Sequence, residues 1–243
     1  MISRNQVKLI RSLQQKKFRE EHGLFIVEGL RSIQEALRAN ASIESIFWTE
    51  AFSEKNSNYM NTISAVQNES VLMAEMKQLS PSTTPPGVLA VCKIPIFDSP
   101  DMNRNFIYLD HISDPGNMGT ILRTALWFGI HNIVLSEACI DPFNPKVVRG
   151  AMGAHFHISW IGTMPLCAFT DYTVLGADYR GNSILAVKKI PDKWVLVMGS
   201  EAHGISSDVH DELDQLIAIP KVGTGESLNV GVSMGILLHC LTT

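Results

Sequence analysis

The side chains in this sequence that could do chemistry together lie in three glycine-containing loops, each predicted to follow a short apolar strand. The loops belong to residues 114–123, 198–204 and 216–239. Their candidate functional residues are Asn117, Arg123, Glu201, Ser227 and Asn229. Amide, guanidinium, carboxylate and hydroxyl groups bind polar and phosphorylated ligands through directed hydrogen bonds. Three such loops converging on one sheet edge would form a binding site.

Each candidate residue also has a purely structural interpretation. Asn117 follows a proline–glycine turn at or near the start of a predicted helix, where it could cap backbone N–H groups and contribute about 1 kcal/mol. Ser227 could cap the last helix in the same way, and Asn229 would then face water. Glu201 could be an exposed turn residue. Arg123 lies about 240° round the helix from Asn117, so it forms either a surface ion pair or, by reaching back to the helix start, a phosphate site.

The sequence lacks several common ligand-binding motifs. It has no GxGxxG after a strand, no GxxxxGK[ST] and no HExxH, which disfavours dinucleotide dehydrogenases, P-loop NTPases and zinc peptidases. The four cysteines form no CxxC pair, so we expect reduced thiols and no metal. No apolar run reaches the roughly 18 residues that span a bilayer, and the first residues do not resemble a signal peptide. A cytoplasmic protein without a membrane segment is expected.

Charge is distributed unevenly along the chain. The formal net charge is −4, yet six basic residues precede the first acidic residue, Glu20. They are Arg4, Lys8, Arg11, Lys16, Lys17 and Arg19. A basic leader on an acidic chain is typical of a protein with one face that meets a polyanion. A solvated helix face that binds nothing explains this run equally well.

The pattern of elements predicts two domains. Residues 1–95 read as a small α/β domain that begins with a helix over residues 2–17, and residues 96–104 read as a linker. From residue 105 to residue 243, short apolar strands alternate with helices, which predicts a parallel sheet with helices on both faces. A strand is expected at 157–160 and the last helix at 228–241. In such sheets ligands bind outside the carboxyl ends of the strands, where all three loops are predicted to lie.

Taken together, the loops resemble the signature motifs of the SpoU (TrmH-type) branch of the SPOUT methyltransferases. The matching motifs are residues 114–125, 197–204 and 219–230, supported by residues 144–153. Residues 17–31 resemble the L30e-type substrate-binding domain that precedes the catalytic domain in many of these enzymes. The resemblance implies S-adenosylmethionine-dependent 2′-O-methylation of a ribose in structured RNA. It also implies a C-terminal trefoil knot and a homodimer formed through the knotted domain.

The resemblance assigns a role to each matching residue. The catalytic set is Asn117, Arg123, Glu201, Ser227 and Asn229. The residues implied to hold the cofactor are Met198, Gly199, Gly204, Ile219, Pro220, Ser227 and Leu228. RNA binding is expected from the six basic leader residues together with Arg31, Lys146 and Arg149. Arg123 is interpreted as stabilising the developing alkoxide and the adjacent phosphate, because a guanidinium is hard to deprotonate. The proton then leaves through a phosphate oxygen or water.

Three alternatives remain open from the sequence. Ribosomal RNA is the first expectation for the substrate, and transfer RNA is the alternative. A non-catalytic RNA-binding protein could keep the fold, and an enzyme of the same fold could methylate a base. Gly231 and Gly235 thin one face of the last helix, so that either the sheet or a second subunit could approach it closely.

Overall fold

The computed structural model describes residues 2–64, 66–97 and 99–243, and the chain divides into two compact units. Unit 1 contains the chain up to Ile96 together with Asp141–Phe156. Unit 2 contains Phe97–Ile140 and His157–Thr243. The sequence-based boundaries placed residues 141–156 in the second domain, whereas in the structure this segment packs with the first unit.

Helices and strands are labelled in chain order. Within the described residues the α-helices are α1 (Arg4–Ser12), α2 (Lys16–His22), α3 (Leu30–Arg38), α4 (Glu50–Lys55), α5 (Ser57–Ile63), α6 (Met73–Leu79), α7 (Pro115–Trp127), α8 (Pro145–Ala151), α9 (Ser207–His210) and α10 (Val230–Thr242). The strands are β1 (Leu24–Glu28), β2 (Ile43–Trp48), β3 (Asn68–Ser70), β4 (Val88–Lys93), β5 (Phe106–Leu109), β6 (Asn132–Leu135), β7 (Trp160–Gly162), β8 (Thr173–Ser183), β9 (Trp194–Met198) and β10 (Gln215–Ala218). Short 3₁₀ turns cover Ala154–Phe156, Leu166–Ala168 and Ile184–Ala186.

Unit 1 is built on a mixed sheet with strand order β1-β4-β2-β3. Strand β4 runs antiparallel to both of its neighbours, and β2 and β3 are parallel. The sheet core includes Ile26, Phe47 and Leu89, which are essentially inaccessible to solvent. This agrees with the small α/β domain expected from the sequence.

The helical character predicted over residues 2–17 is present, but the leader forms two helices, α1 and α2, instead of one continuous helix. A capping box between Ser3 and Gln6 starts α1, since the Ser3 hydroxyl and the Gln6 side chain each satisfy a backbone N–H. Gln15 has an extended backbone that separates α1 from α2, and Gly23 ends α2 in the left-handed conformation. The two helices therefore expose separate sets of basic residues.

Arg19 is buried, so the prediction that it contacts RNA is wrong. Its side chain is 2% exposed, and its guanidinium donates to the Leu13 carbonyl oxygen at 2.8 Å and to the Asp141 carboxylate from Nε at 3.0 Å and from Nη2. A guanidinium committed to buried partners cannot neutralise a phosphate. Its role is to join the leader to the segment 141–156 inside unit 1.

We expect Arg19→Ala to destabilise unit 1 by about 3 kcal/mol, because Asp141 would be left as a nearly buried charge without its partner. Hydrogen exchange of the β1 amides should speed up accordingly. Arg11→Ala, at an exposed position of α1, should change stability by less than about 0.5 kcal/mol. Equal exchange rates in the two variants would contradict the structural role of Arg19.

His155 lies in the aromatic core of unit 1. The ring centroids of Phe143 and Phe25 are 5.4 and 6.2 Å from its own. Its Nε2 is 2.7 Å from the Pro142 carbonyl oxygen, which accepts only, so Nε2 carries the proton. Among the described residues Nδ1 has no partner. Burial lowers the pKa of His155 from 6.5 to about 4, which the Pro142 carbonyl only partly opposes.

This depressed pKa predicts that unit 1 loses stability in acid. Above pH 6.5 the imidazole is neutral in both folded and unfolded chains, and between 6.5 and about 4 only the unfolded chain binds the extra proton. Unfolding free energy should therefore fall across that window, by on the order of 3 kcal/mol at most. Denaturant titrations at several pH values should show a steeper loss in the wild type than in His155→Gln. Parallel pH profiles would exclude His155 as the source.

Unit 2 contains a parallel sheet with strand order β10-β8-β9-β5-β6-β7. Every pairing in it is parallel, and β5, β6 and β9 are buried along their whole length, as expected for strands covered on both faces. The predicted α/β fold with a parallel sheet is confirmed. The strand expected at 157–160 begins later, at Trp160, and α10 begins at Val230 instead of residue 228.

Helices α7 and α10 pack directly against each other in unit 2. A Cβ added to Gly231 would lie 2.8 Å from Thr120 Cγ2, and one added to Gly235 would lie 3.6 Å from Thr124 Cγ2. The thinned helix face therefore accommodates α7 of the same chain, which neither of the two sequence-based alternatives anticipated.

Candidate functional site

Three of the five predicted catalytic residues meet in unit 2. Asn117 Nδ2 donates to Glu201 Oε1, and Asn229 Nδ2 donates to Asn117 Oδ1 at 2.7 Å. Each residue comes from a different loop at the carboxyl end of the parallel sheet. The loops after β5, β9 and β10 thus share one polar cluster.

The helix caps determine how these residues are presented. Asp114 is the N-cap of α7, its carboxylate accepts the Asn117 N–H at 2.8 Å, and Pro115 follows at the first helical position. Asn117 therefore lies in the first turn and its side chain is free of the capping role. At α10 the N-cap is Asn229, not Ser227, so the capping role predicted for Ser227 is wrong. Ser227 lies in the exposed loop before the cap.

The hydrogen bonds fix the orientation of both amides. Asn229 Oδ1 accepts from the N–H groups of Gly231 at 3.0 Å and Val232 at 3.4 Å, which leaves Asn229 Nδ2 to donate to Asn117. Asn117 Oδ1 is then the acceptor, and its Nδ2 must point to Glu201. The N-terminus of α10 thus orients a chain of side chains that ends on the Glu201 carboxylate, which retains acceptor capacity for a ligand hydroxyl.

The loop that carries Glu201 is a tight turn closed by its own backbone. Ser200 N donates to the Gly204 carbonyl oxygen at 3.0 Å, and Gly204 N donates to the Ser200 carbonyl oxygen at 2.9 Å. A Cβ added to Gly199 would lie 2.2 Å from the Gly204 carbonyl carbon. Glycine is required at 199 because the two ends of the turn touch there.

The predicted cofactor-binding residues fall into two environments. Met198 is 2% exposed, so its side chain offers almost no surface to a ligand, and its carbonyl oxygen accepts the Asp110 N–H at 2.9 Å. By contrast, residues 220–229 are exposed throughout, and Leu228 is 52% exposed although apolar. Ile219 is half-buried and Pro220 is exposed. This loop offers both apolar surface and backbone groups to a ligand.

Arg123 is not part of the hydrogen-bonded polar cluster. It is exposed on α7 and lines a groove of about 620 Å³ between α7 and α10 together with Trp127, Val232 and Ile236. Trp127 is 85% exposed. The two apolar residues that precede Arg123 in α7 are buried, as the sequence suggested, whereas Arg123 itself is exposed. Among the described residues no hydrogen-bond or ion-pair partner holds its guanidinium.

The other predicted RNA-binding residues lie on the surface of unit 1. Exposed are Arg4, Lys8, Arg11, Lys16, Lys17, Arg31, Lys146 and Arg149. Arg149 is also tethered, since its Nη1 donates to Ser82 Oγ at 2.5 Å and Ser82 donates to the buried carboxylate of Glu28 at 2.6 Å. The segment 141–156 therefore adds its two basic residues to the same unit as the basic leader.

Sequence reasoning missed Asp110, which is fully buried at the end of β5. Its Oδ2 accepts the Ser206 N–H at 2.7 Å, so it links the loop that follows β5 to the loop that follows β9. A carboxylate directly after a continuous apolar strand was the available signal.

Comparison with solved structures shows which class of protein has this fold and these loops. A structure from Porphyromonas gingivalis assigned to the TrmH family of RNA methyltransferases superposes with a TM-score of 0.85 at 32% identity, covering 99% of this chain and 98% of that one. An AdoMet-bound rRNA methyltransferase from Sinorhizobium meliloti superposes with a TM-score of 0.80 at 26% identity, covering 99% and 95%. The fold is that of an RNA methyltransferase.

The sequence comparisons give the family. Residues 104–239 match the SpoU rRNA methylase family and residues 4–90 match the MRM3-like substrate binding domain. The 23S rRNA (guanosine(2553)-2'-O)-methyltransferase RlmP of Bacillus subtilis is 27% identical over 97% of this chain and 95% of its own length. The chain belongs to the SpoU rRNA methylase family, which confirms the resemblance found in the three loops.

No helix in residues 2–64, 66–97 and 99–243 is long and apolar enough to cross a membrane. The same ranges contain no cluster of three or more His, Cys, Asp or Glu side chains that could hold a metal ion.

Proposed function

We propose that this protein transfers a methyl group from S-adenosylmethionine to a ribose 2′-oxygen in structured ribosomal RNA, in the cytoplasm. The observation that carries the proposal is the convergence of Asn117, Glu201 and Asn229 from three loops at the carboxyl edge of the parallel sheet. The similarity to a 23S rRNA 2′-O-methyltransferase along nearly the whole chain supports the same substrate class.

The loops after β9 and β10 fit S-adenosylmethionine. Gly199 lets the two ends of the turn after β9 meet at Gly204, and the exposed loop at residues 220–229 supplies apolar surface from Leu228 beside backbone polar groups. Such a combination suits an adenosine with a charged methionine tail. When bound, S-adenosylmethionine supplies an electrophilic methyl group. Met198, Gly199, Gly204, Ile219, Pro220, Ser227 and Leu228 are the residues we propose to hold it, Met198 through its backbone.

The protein side of the reaction is alignment and charge stabilisation. A ribose hydroxyl is a weak nucleophile at neutral pH, so it must be held in line and lose its proton as the new bond forms. The hydrogen-bonded Asn117 and Glu201 side chains offer donors and acceptors that can orient the hydroxyl. Ser227, two residues before Asn229 in the sequence, offers a further hydroxyl. Arg123 stabilises the developing alkoxide and the adjacent phosphate, and the proton passes to a phosphate oxygen or water.

The groove between α7 and α10 supports a homodimer formed through unit 2. It exposes Trp127, Val232 and Ile236, and exposed apolar patches of this kind are typical of protein interfaces. Arg123 lines the same groove, which places this catalytic candidate at the proposed boundary between two copies.

The pairing of the last strand, β10, supports the proposed trefoil knot. Strand β10 pairs with β8 at residues 175–176 and again at residues 182–183, with a register shift between Leu216 and Ile217. Helix α10 then packs against both α7 and the 3₁₀ turn Ile184–Ala186. A C-terminal segment that passes beneath the chain between β8 and β9 would make both sets of contacts.

Unit 1 is the proposed RNA-binding unit, and removing its charge should weaken RNA binding. We expect replacement of Arg4, Lys8 and Arg11 by Gln to lower RNA affinity and to reduce the slope of log affinity against log salt by up to about 0.9 for each lost phosphate contact with duplex-like RNA. S-adenosylmethionine affinity should not change. Replacing Lys188 and Lys189, two exposed basic residues of unit 2 outside the predicted RNA-binding set, is the control. An unchanged salt slope would contradict an RNA interface on the leader.

The proposed function is tested by reaction and nucleoside analysis. Ribosomal RNA from cells lacking the protein is incubated with the purified protein and S-adenosylmethionine, digested, and analysed by mass spectrometry. A 2′-O-methylnucleoside should form. A base-methylated nucleoside would instead show a base methyltransferase, a product on transfer RNA alone would show the other substrate, and S-adenosylmethionine binding without product would show a non-catalytic protein.

A further inference from the structure

Asp110 and His111 form a hydrogen-bonded acid–imidazole pair at the end of β5. Asp110 Oδ1 lies 2.6 Å from His111 Nδ1, while Asp110 Oδ2 accepts the Ser206 N–H at 2.7 Å. The carboxylate is fully buried, whereas the imidazole is 52% exposed. No role described above uses the imidazole.

The backbone of His111 is held in a costly conformation. Its φ is +58°, in the left-handed region that non-glycine residues rarely adopt. The His111 N–H donates to Ser136 Oγ at 3.0 Å, and this bond helps to fix the conformation. Residues in such conformations cluster at functional sites, because there the direction of the side chain matters more than local stability.

The Asp110 contact determines what the exposed nitrogen can do. A carboxylate accepts hydrogen bonds, so His111 Nδ1 carries the proton that it donates. In the neutral imidazole the other nitrogen, Nε2, is then left with a lone pair. His111 Nε2 is therefore an oriented hydrogen-bond acceptor that can receive a bond from a hydroxyl group. It lies at the carboxyl edge of the sheet, in the loop that leads to Asn117.

We propose that His111 Nε2 accepts a hydrogen bond from a ribose 2′-hydroxyl of the substrate RNA, at a nucleotide next to the one that is methylated, with Asp110 as its positioning residue. The proposal rests on the proposed RNA methyltransferase function. The 2′-hydroxyl is the group that distinguishes RNA from DNA. The pair would therefore help the site to select RNA.

The test combines single 2′-deoxy substitutions in the RNA with a change at His111. The probe is a synthetic ribosomal RNA hairpin that spans the nucleotide methylated by the wild type. At one flanking position a 2′-deoxy substitution should lower kcat/KM of the wild type about fivefold, the loss of one hydrogen bond of roughly 1 kcal/mol. In His111→Asn the same substitution should have no further effect, and the unmodified hairpin should react about fivefold more slowly.

The choice of variant keeps a folding defect separable from a lost contact. In His111→Asn the new residue tolerates the left-handed backbone, and in His111→Gly the backbone strain is removed altogether. The melting temperature and the S-adenosylmethionine affinity are measured for both variants. If no flanking deoxy substitution distinguishes the wild type from either variant, the pair is only structural and the proposal is wrong. If the wild type methylates no ribose in ribosomal or transfer RNA, the proposed function has failed first, and that result is seen before His111 is changed.

Discussion

Arg123→Lys should lower the rate of 2′-O-methyl transfer about 100-fold, the typical effect of removing one oriented charge-stabilising group from an active site. The substitution keeps a positive charge but loses the planar fork that can contact an alkoxide and a phosphate together. Folding should be unaffected, because Arg123 is exposed on α7 and Lys has a similar helix propensity. Single-turnover methylation with labelled S-adenosylmethionine measures the effect.

The matched control is Arg104→Lys, at a surface position paired with Asp101 at 3.0 Å, which should leave the rate unchanged. S-adenosylmethionine affinity should be the same in both variants and in the wild type. A wild-type rate in Arg123→Lys would exclude bidentate positioning as the essential contribution of Arg123. Analytical ultracentrifugation of Arg123→Lys and the wild type shows separately whether the residue also affects self-association.

Gly199→Ala should abolish most cofactor binding and lower stability. The added Cβ would lie 2.2 Å from the Gly204 carbonyl carbon and 2.4 Å from the Ile205 nitrogen, and backbone cannot move aside as a flexible side chain can. We expect the turn at Ser200–Gly204 to open, with a loss of stability of about 1–3 kcal/mol and at least a tenfold weaker S-adenosylmethionine affinity by calorimetry, equivalent to about 1.4 kcal/mol.

Gly223→Ala provides the comparison for this prediction. A Cβ added at Gly223 meets no atom within 4 Å, so the substitution tests glycine replacement in a site loop without a clash. It should retain stability. If Gly199→Ala bound S-adenosylmethionine as tightly as Gly223→Ala, the closed turn after β9 would not be needed for the site.

The parallel sheet and its loops were predictable because they depend on local patterns. Continuous apolar runs such as Trp194–Met198 mark strands buried on both faces, and parallel strands bring their carboxyl ends to one edge. Resemblance to a known family then supplied the grouping of Asn117, Glu201 and Asn229. Without it, each residue had a sufficient structural explanation alone.

The features that sequence did not predict depend on contacts between distant residues. Arg19 sits in a basic run and looks exposed, yet its partner Asp141 is 122 residues away. Ser227 and Asn229 are both good helix caps, and local preference could not decide between them. The position of Arg123 in the groove beside Trp127 depends on how α7 packs against α10, which the pattern along one helix does not show.

The assignment of Asp141–Phe156 to unit 1 has a consequence for how the protein is made. The first unit cannot acquire its full core when residue 96 leaves the ribosome, because Phe143 and His155 pack against Phe25 and are synthesised much later. Part of the second unit is translated in between. During synthesis the core of the first unit therefore stays incomplete, with Phe25 and Arg19 uncovered, until residues 141–156 have been made. For the same reason, proteolytic cleavage of a single peptide bond cannot separate the two units intact.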